Sequence, residues 1–126
     1  MAHDVVADGL NMIKNAKNAR KDVVKINRIS NLLIEVLKIM KQEKAIQKYK
    51  INSKEKSVEV TIENLTDCKA IKPRFTVKKE QVEIYQRRYL PAKNIGTMIV
   101  STNDGLITHK EAKEKGKGGV LIAFFY

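Results

Sequence analysis

Apolar residues recur at helical spacing from the start of the chain. Val5 and Val6, Leu10, Ile13 and Ala16 share one side, and Asn11, Lys14, Asn15 and Lys17 occupy the other. The spacing predicts an amphipathic helix over residues 4–19. Val23-Val24-Lys25-Ile26 is a short β-branched run and predicts a strand. A second helix is expected over 30–42, where Ser30 is placed to cap it and Leu33, Val36/Leu37 and Met40 fall on one face. A strand follows over 46–51, then a turn at Asn52-Ser53-Lys54-Glu55. The run Ser57-Val58-Glu59-Val60-Thr61-Ile62-Glu63 alternates strictly, so one face is buried and one is wet.

Polar residues over 64–69 mark a boundary between an N-terminal lobe, 1–65, and a C-terminal lobe, 66–126. Beyond it, Ile71 and Phe75-Thr76-Val77 suggest strand pieces around Pro73, and an extended stretch over 80–90 is ended by Pro91. Thr97-Met98-Ile99-Val100 reads as a buried strand. Thr108 followed by Glu111 is a capping box that starts a short helix over 109–115, with Gly116 as its C-cap. Val120-Leu121-Ile122-Ala123-Phe124-Phe125 is near-continuously apolar, as a central strand is. The fold class is therefore α+β: two small packed lobes, the first α-β-α-β-β, the second mostly antiparallel β with one short helix.

Composition adds a partner. The 126 residues carry a formal net charge of +11 with 43% hydrophobic residues, so the chain has a core and a strong attraction for polyanions. The first 65 residues hold 13 Lys/Arg and 8 Asp/Glu, the remainder 12 and 6, so both halves are basic and no detachable basic arm is present. One cysteine, Cys68, excludes an internal disulfide framework and suits a reducing compartment. No apolar run is long enough for a membrane span, and the N-terminus has no signal-peptide pattern; a cytoplasmic product is expected.

The candidate chemistry lies late in the chain. Ser101, Thr102 and Asn103 offer short hydrogen-bonding side chains, and Gly105 and the pair Gly118-Gly119 remove Cβ obstacles to a polymer backbone. Thr108 opens a helix whose free N–H groups favour an anion. Ser101, Asp104 and His109 are the residue types of a hydrolase triad, but His109 is expected in a first helical turn facing solvent, away from any serine, so no catalysis is assigned. His3 and His109 have no ligand partners at metal-binding spacing, and no phosphate-loop or dinucleotide fingerprint occurs; neither a metal nor a cofactor is expected. Tyr85, Arg87, Arg88 and Tyr89 interleave rings and cations, as RNA-stacking and phosphate-pairing surfaces do. Lys72 and Arg74 flank Pro73, which stiffens their presentation. Asn11, Lys14 and Asn15 offer a second contact on the first helix.

The run Ser101-Thr102-x-x-Gly105-Leu106-Ile107-Thr108-His109-x-Glu111-Ala112, followed by Gly118-Gly119-x-Leu121, closely resembles the C-terminal signature of the small-subunit ribosomal protein S-eight family. Cys68-Lys69-Ala70-Ile71-Lys72-Pro73-Arg74-Phe75, Arg88-Tyr89-Leu90-Pro91-Ala92 and the terminal Phe124-Phe125-Tyr126 resemble its archaeal and eukaryotic branch. Asp4, Ala7-Asp8, Leu10-Asn11 and Ile13-x-Asn15-Ala16 are similar to the family's opening helix. The chain departs from the family pattern at Val5, at Asn27-Arg28-Ile29-Ser30 and at Lys44-Ala45-Ile46-Gln47, all in the N-terminal half.

The resemblance implies a non-enzymatic constituent of the small ribosomal subunit. Such a protein binds an irregular stem in the central domain of small-subunit rRNA and helps assemble the platform, beside neighbouring small-subunit ribosomal proteins. It implies that Ser101, Thr102, Gly105 and Thr108 carry RNA recognition, with Asn103 at a variable position of the motif. The competing expectation is a basic domain that binds nucleic acid or an anionic surface by charge alone.

Overall fold

The structure is a computed structural model, and it describes residues 5–71, 74, 76–92, 95–103 and 105–126. It divides into two compact units, Met1–Lys69 and Ala70–Tyr126.

In the first unit the elements run α1 (Val5–Asn18), β1 (Val23–Ile26), α2 (Asn31–Gln42), β2 (Ile46–Asn52) and β3 (Ser57–Ile62). The three strands form an antiparallel sheet with β3 in the centre. Alternation along β3 decides its faces: Val58, Val60 and Ile62 are buried, and Glu59 is exposed. The apolar stripes of both helices contribute Leu10, Ile13, Leu33, Leu37 and Met40, all at most 1% exposed, to the same core as Ile26. Ser30 caps α2 as its sequence position implies, its Oγ accepting from the Leu33 N–H at 3.1 Å. Cys68 is fully buried. Its thiol donates to the Leu10 carbonyl at 3.3 Å, and burial raises its pKa to about 12, so it is an inert packing residue.

The boundary falls within β4 (Cys68–Ala70). The second unit then runs β5 (Thr76–Val77), a 3-10 turn (Lys79–Gln81), α3 (Val82–Tyr89), β6 (Thr97–Thr102), β7 (Gly105–Thr108), α4 (His109–Lys115) and β8 (Gly119–Phe125). β8 is central as its apolar run predicts, with β6 and β5 both antiparallel to it, and β7 pairs with β6. One face of this sheet packs Met98, Val100, Leu121 and Phe124 against Val82 and Leu90 from α3 and its end, and Ala112 from α4.

The expected extended stretch over 80–90 is a helix instead, so the second unit contains two α-helices rather than one. The cause is spacing. Val82, Gln86 and Leu90 are buried, and Tyr85 and Tyr89 pack half-buried on the same core, a recurrence every three to four residues that only a helix places on one side. Tyr89 stacks on Phe124 with ring centroids 5.3 Å apart. β7 is also additional to the sequence-based expectation: Leu106 and Ile107 are too short a run to announce a strand.

Candidate nucleic-acid interface

β6 and β7 form a hairpin, and its end carries the hydroxyl cluster. Ser101 pairs with Leu106 and Thr102 with Gly105, and the chain turns at Asn103. Thr102 Oγ1 donates to the Gly105 carbonyl at 2.9 Å, tying the two strands at the turn. Gly105 has φ +109°, a backbone conformation that a Cβ strongly disfavours, and open space lies where that Cβ would be. Ser101 and Thr102 are half-buried, and Asn103 and Gly105 are exposed. Met98 and Val100 of β6 point to the helix-covered core, so Ser101, one residue on, points to the opposite face of the sheet. Its hydroxyl has no hydrogen-bond partner among the described residues. The hairpin therefore offers a donor and acceptor on a fixed backbone, beside a bare peptide surface.

The glycine pair also serves the protein's own packing. A Cβ at Gly119 would collide with the Ser101 carbonyl oxygen and with Val100 Cγ1, and one at Gly118 with the Val77 carbonyl oxygen. The backbone admitted by these glycines is the protein's own: β8 draws against β6 directly behind Ser101. They shape the hairpin's support.

Thr108 is only 4% exposed, and its Oγ1 accepts from the Glu111 N–H at 3.2 Å, so it caps α4 from inside. His109 corrects a further expectation, since it is fully buried rather than facing solvent. The β6–β7 register, Ile99 with Thr108, would next pair Met98 with residue 109, where the chain has already entered α4. The His109 ring takes up that rung, Nδ1 accepting from the Met98 N–H at 3.0 Å. Nε2 then carries the proton of the neutral ring and has no hydrogen-bond partner among the described residues. Burial, then the nearby Lys113 and Lys110, lower the imidazole pKa to about 4. The imidazole thus holds the start of β6 to the start of α4, behind both strands of the hairpin. No sequence signal marks this role.

The remaining predicted residues are spread over other elements. Tyr85 packs its ring on the core, whereas Arg87 and Arg88 are exposed on α3, on the helix-covered face of the sheet. Arg87 pairs with Glu83 at 3.5 Å, and Arg88 has no ion-pair partner among the described residues. Arg74 is exposed. Lys72 lies outside the described residues, as do Pro73 and Asp104. On α1, Asn11 and Asn15 are exposed, and Lys14 bonds Asp67 at 3.0 Å. Among the described residues, no three His, Cys, Asp or Glu side chains are grouped to hold a metal ion, and no helix is long and apolar enough to cross a membrane.

A small, strongly basic α+β chain with an open hydroxyl-bearing hairpin belongs to the class of folded polyanion binders. Comparison with known proteins makes this particular. The family model described as Ribosomal protein S8 matches residues 4–126. The protein named small ribosomal subunit protein uS8 from Nanoarchaeum equitans is 44% identical over 129 residues, and that from Picrophilus torridus is 36% identical over 129, each alignment covering 100% of both chains. The chain belongs to the ribosomal protein S8 family, a family of structural ribosomal proteins and not of enzymes.

Proposed function

We propose that this chain is a constituent of the small ribosomal subunit that binds an irregular stem in the central domain of small-subunit rRNA through the β6–β7 hairpin. The observation that carries this reading is the free Ser101 hydroxyl beside the open backbone at Gly105, on a hairpin locked by Thr102. A-form stems hide their base edges in a deep groove, so specific recognition falls on internal loops and on the wide minor groove with its 2′-hydroxyls. Short hydroxyls on a rigid strand end suit those targets. Ser101, Thr102 and Asn103 make the discriminating contacts, and Gly105 lets the ribose-phosphate chain approach. Thr108, Gly118 and Gly119 contribute by holding that geometry. Lys72, Arg74, Arg87 and Arg88 add charge attraction, the exposed part of the half-buried Tyr85 adds a ring contact, and Asn11, Lys14 and Asn15 on the other unit add a further polar contact. Neighbouring small-subunit proteins complete the surroundings, and the protein works in the cytoplasm as part of the ribosome.

Filter binding to a central-domain rRNA fragment tests this. Ser101→Ala and Thr102→Ala are expected to weaken binding by about 1–3 kcal/mol each, roughly 5- to 150-fold. Affinity untouched by both substitutions, or equal competition by duplex DNA, leaves only charge-driven binding.

A further inference from the structure

Within the first unit, the described residues cover the sheet on one side only. Ile26 of β1 lies near Gly9 of α1 and Leu33 of α2. Tyr49 of β2 lies under Lys41 of α2, 5.9 Å from Nζ to the ring centroid. Both helices therefore occupy the face of Ile26, Tyr49, Val58 and Val60. The register assigns the other face. Val23, Thr61 and Lys48 stand in one row across the three strands, and Lys25, Glu59 and Lys50 in the next. All but Thr61 are exposed. At the hairpin end this face sinks into a hollow of about 500 Å³, lined in part by Lys25, Lys50, Lys54, Glu55 and Glu59.

The lysines are not evenly matched by acids. Lys25, Lys48, Lys50 and Lys54 face Glu55 and Glu59, and Lys25 engages Glu55. Lys48, Lys50 and Lys54 have no ion-pair partner among the described residues.

We infer that this uncovered sheet face is a second RNA contact, taking the sugar-phosphate backbone of a ribosomal RNA stem by charge rather than by base identity. The inference rests on the rRNA-binding reading but uses the open sheet face of the first unit rather than the hairpin or α1, and charge rather than hydroxyl recognition. Charge complementarity selects the occupant. The core of a protein–protein interface is depleted in Lys and Glu and enriched in aromatics, whereas this face has Glu59 at its middle, Lys25, Lys48 and Lys50 on the strands to either side and, among the described residues, no aromatic ring. Lysines on mobile stems act as point charges, and phosphate contacts of that kind set register and orientation without reading sequence. Lysines on edge strands also discourage edge-to-edge pairing, and β1 and β2 are both edges. That role alone predicts no change in RNA affinity when they are neutralised.

The test is the salt dependence of binding of the full chain to intact small-subunit rRNA, with a Lys48→Gln/Lys50→Gln double variant. Neutralising one phosphate-bound lysine lowers the slope of log affinity against log salt by somewhat under one unit, so a fall of about 1.5 units is expected for the pair. Affinity near 0.1 M salt is expected to drop about tenfold. Lys48→Arg/Lys50→Arg restores both, and circular dichroism melts of the variants stay at wild type because the side chains are exposed. An unchanged slope overturns the inference, and if the glutamine variant then fails to enter reconstituted subunits, the face belongs to a protein neighbour. The two readings fail separately. A silent Ser101→Ala with a lowered lysine slope removes the hairpin and keeps the sheet face, and the reverse pattern does the opposite.

Discussion

The hairpin between β2 and β3 turns through Ser53–Lys56, and the hairpin between β6 and β7 turns at Asn103. Each is locked by one side chain on the backbone, with opposite chemistry. Asn52 Oδ1 accepts from the Lys54 and Glu55 N–H groups at 3.1 and 3.3 Å, whereas Thr102 Oγ1 donates to the Gly105 carbonyl. Each re-enters its second strand through a positive φ: 52° at Lys56 and 109° at Gly105. The first value lies in the left-handed region that an L-residue occupies at modest cost; the second lies outside it. The first hairpin can therefore carry a side chain at every position, and it displays Lys54, Glu55 and Lys56. The second gives up one side chain and presents bare backbone between hydroxyl groups. One displays charged side chains and the other a bare peptide surface beside hydroxyl groups.

The sharpest way to break that contrast is to disturb what stands behind each hairpin. Gly119→Val places a branched side chain where the Ser101 carbonyl already lies. It is expected to lower stability by about 3 kcal/mol or more, read as a shifted urea midpoint, and to abolish rRNA binding. Ser53→Val in the other turn, at an exposed position, is expected to stay within about 0.5 kcal/mol of wild type. If both variants melted alike, the close approach of β8 would not be what fixes the second hairpin.

Acid separates the two hairpins next. His109 has its pKa lowered from 6.5 to about 4 in the folded chain, so between those values the unfolded chain binds the proton more readily. Its contribution is present above about pH 6.5 and is lost as pH falls towards 4, on the order of 2–3 kcal/mol in all. Lys110 and Lys113 beside it oppose protonation further. In the first hairpin, Lys25 holds the Glu55 carboxyl below its usual value of 4.5 by hydrogen bonding and charge. That contribution is lost only below about 4.5, and exposure to solvent makes it small. Urea midpoints measured from pH 7.5 to 4 are expected to fall mainly in the His109 window. His109→Leu is expected to be less stable at pH 7 and to flatten that dependence; a His109→Leu profile parallel to wild type would assign the acid sensitivity elsewhere.

How far the sequence foretold these features follows from how local each cause is. The Ser30 cap, the β3 alternation and the Thr108 cap depend on residues within three or four positions, and all three are visible in the chain. The helix over Val82–Tyr89 is carried by the same kind of spacing, but Pro91 and the Tyr/Arg interleaving suggest an extended strand until Gln86, a polar residue, is seen buried beneath it. Gln86 is buried because its Oε1 accepts from Lys113 Nζ, on a helix 27 residues further on. The imidazole rung from His109 to Met98 and the approach of Gly119 to Ser101 are likewise long-range, so nothing near either residue announces them. The hydroxyl cluster was legible as chemistry; what fixes it in place was not.

A smaller effect sharpens the comparison at the two positive-φ residues. Gly105→Ala meets no neighbouring atom, so its effect is backbone strain alone, about 1–3 kcal/mol. The same variant is expected to weaken rRNA binding even at temperatures where it is fully folded, because the added Cβ stands on the bare surface of the hairpin. Wild-type affinity in a destabilised Gly105→Ala protein would move the RNA contact off that surface.

The reciprocal change at Lys56 is expected to be slight and of opposite sign. At φ 52°, removing the Cβ relieves roughly 1 kcal/mol of left-handed strain, and the freer unfolded chain of a glycine offsets about half of it. Lys56→Gly therefore gains about 0.5 kcal/mol, a shift of a few degrees in melting temperature. Lys56 also separates two sources of charge. It lines a groove with Ile29, Ile34 and Ile51 on the helix side of the sheet, not the open face of Lys48 and Lys50. Its removal is expected to leave the salt slope of rRNA binding unchanged while the Lys48/Lys50 variant lowers it. Equal slopes for the two variants would mean that the first hairpin attracts RNA through its total charge, with no face preferred.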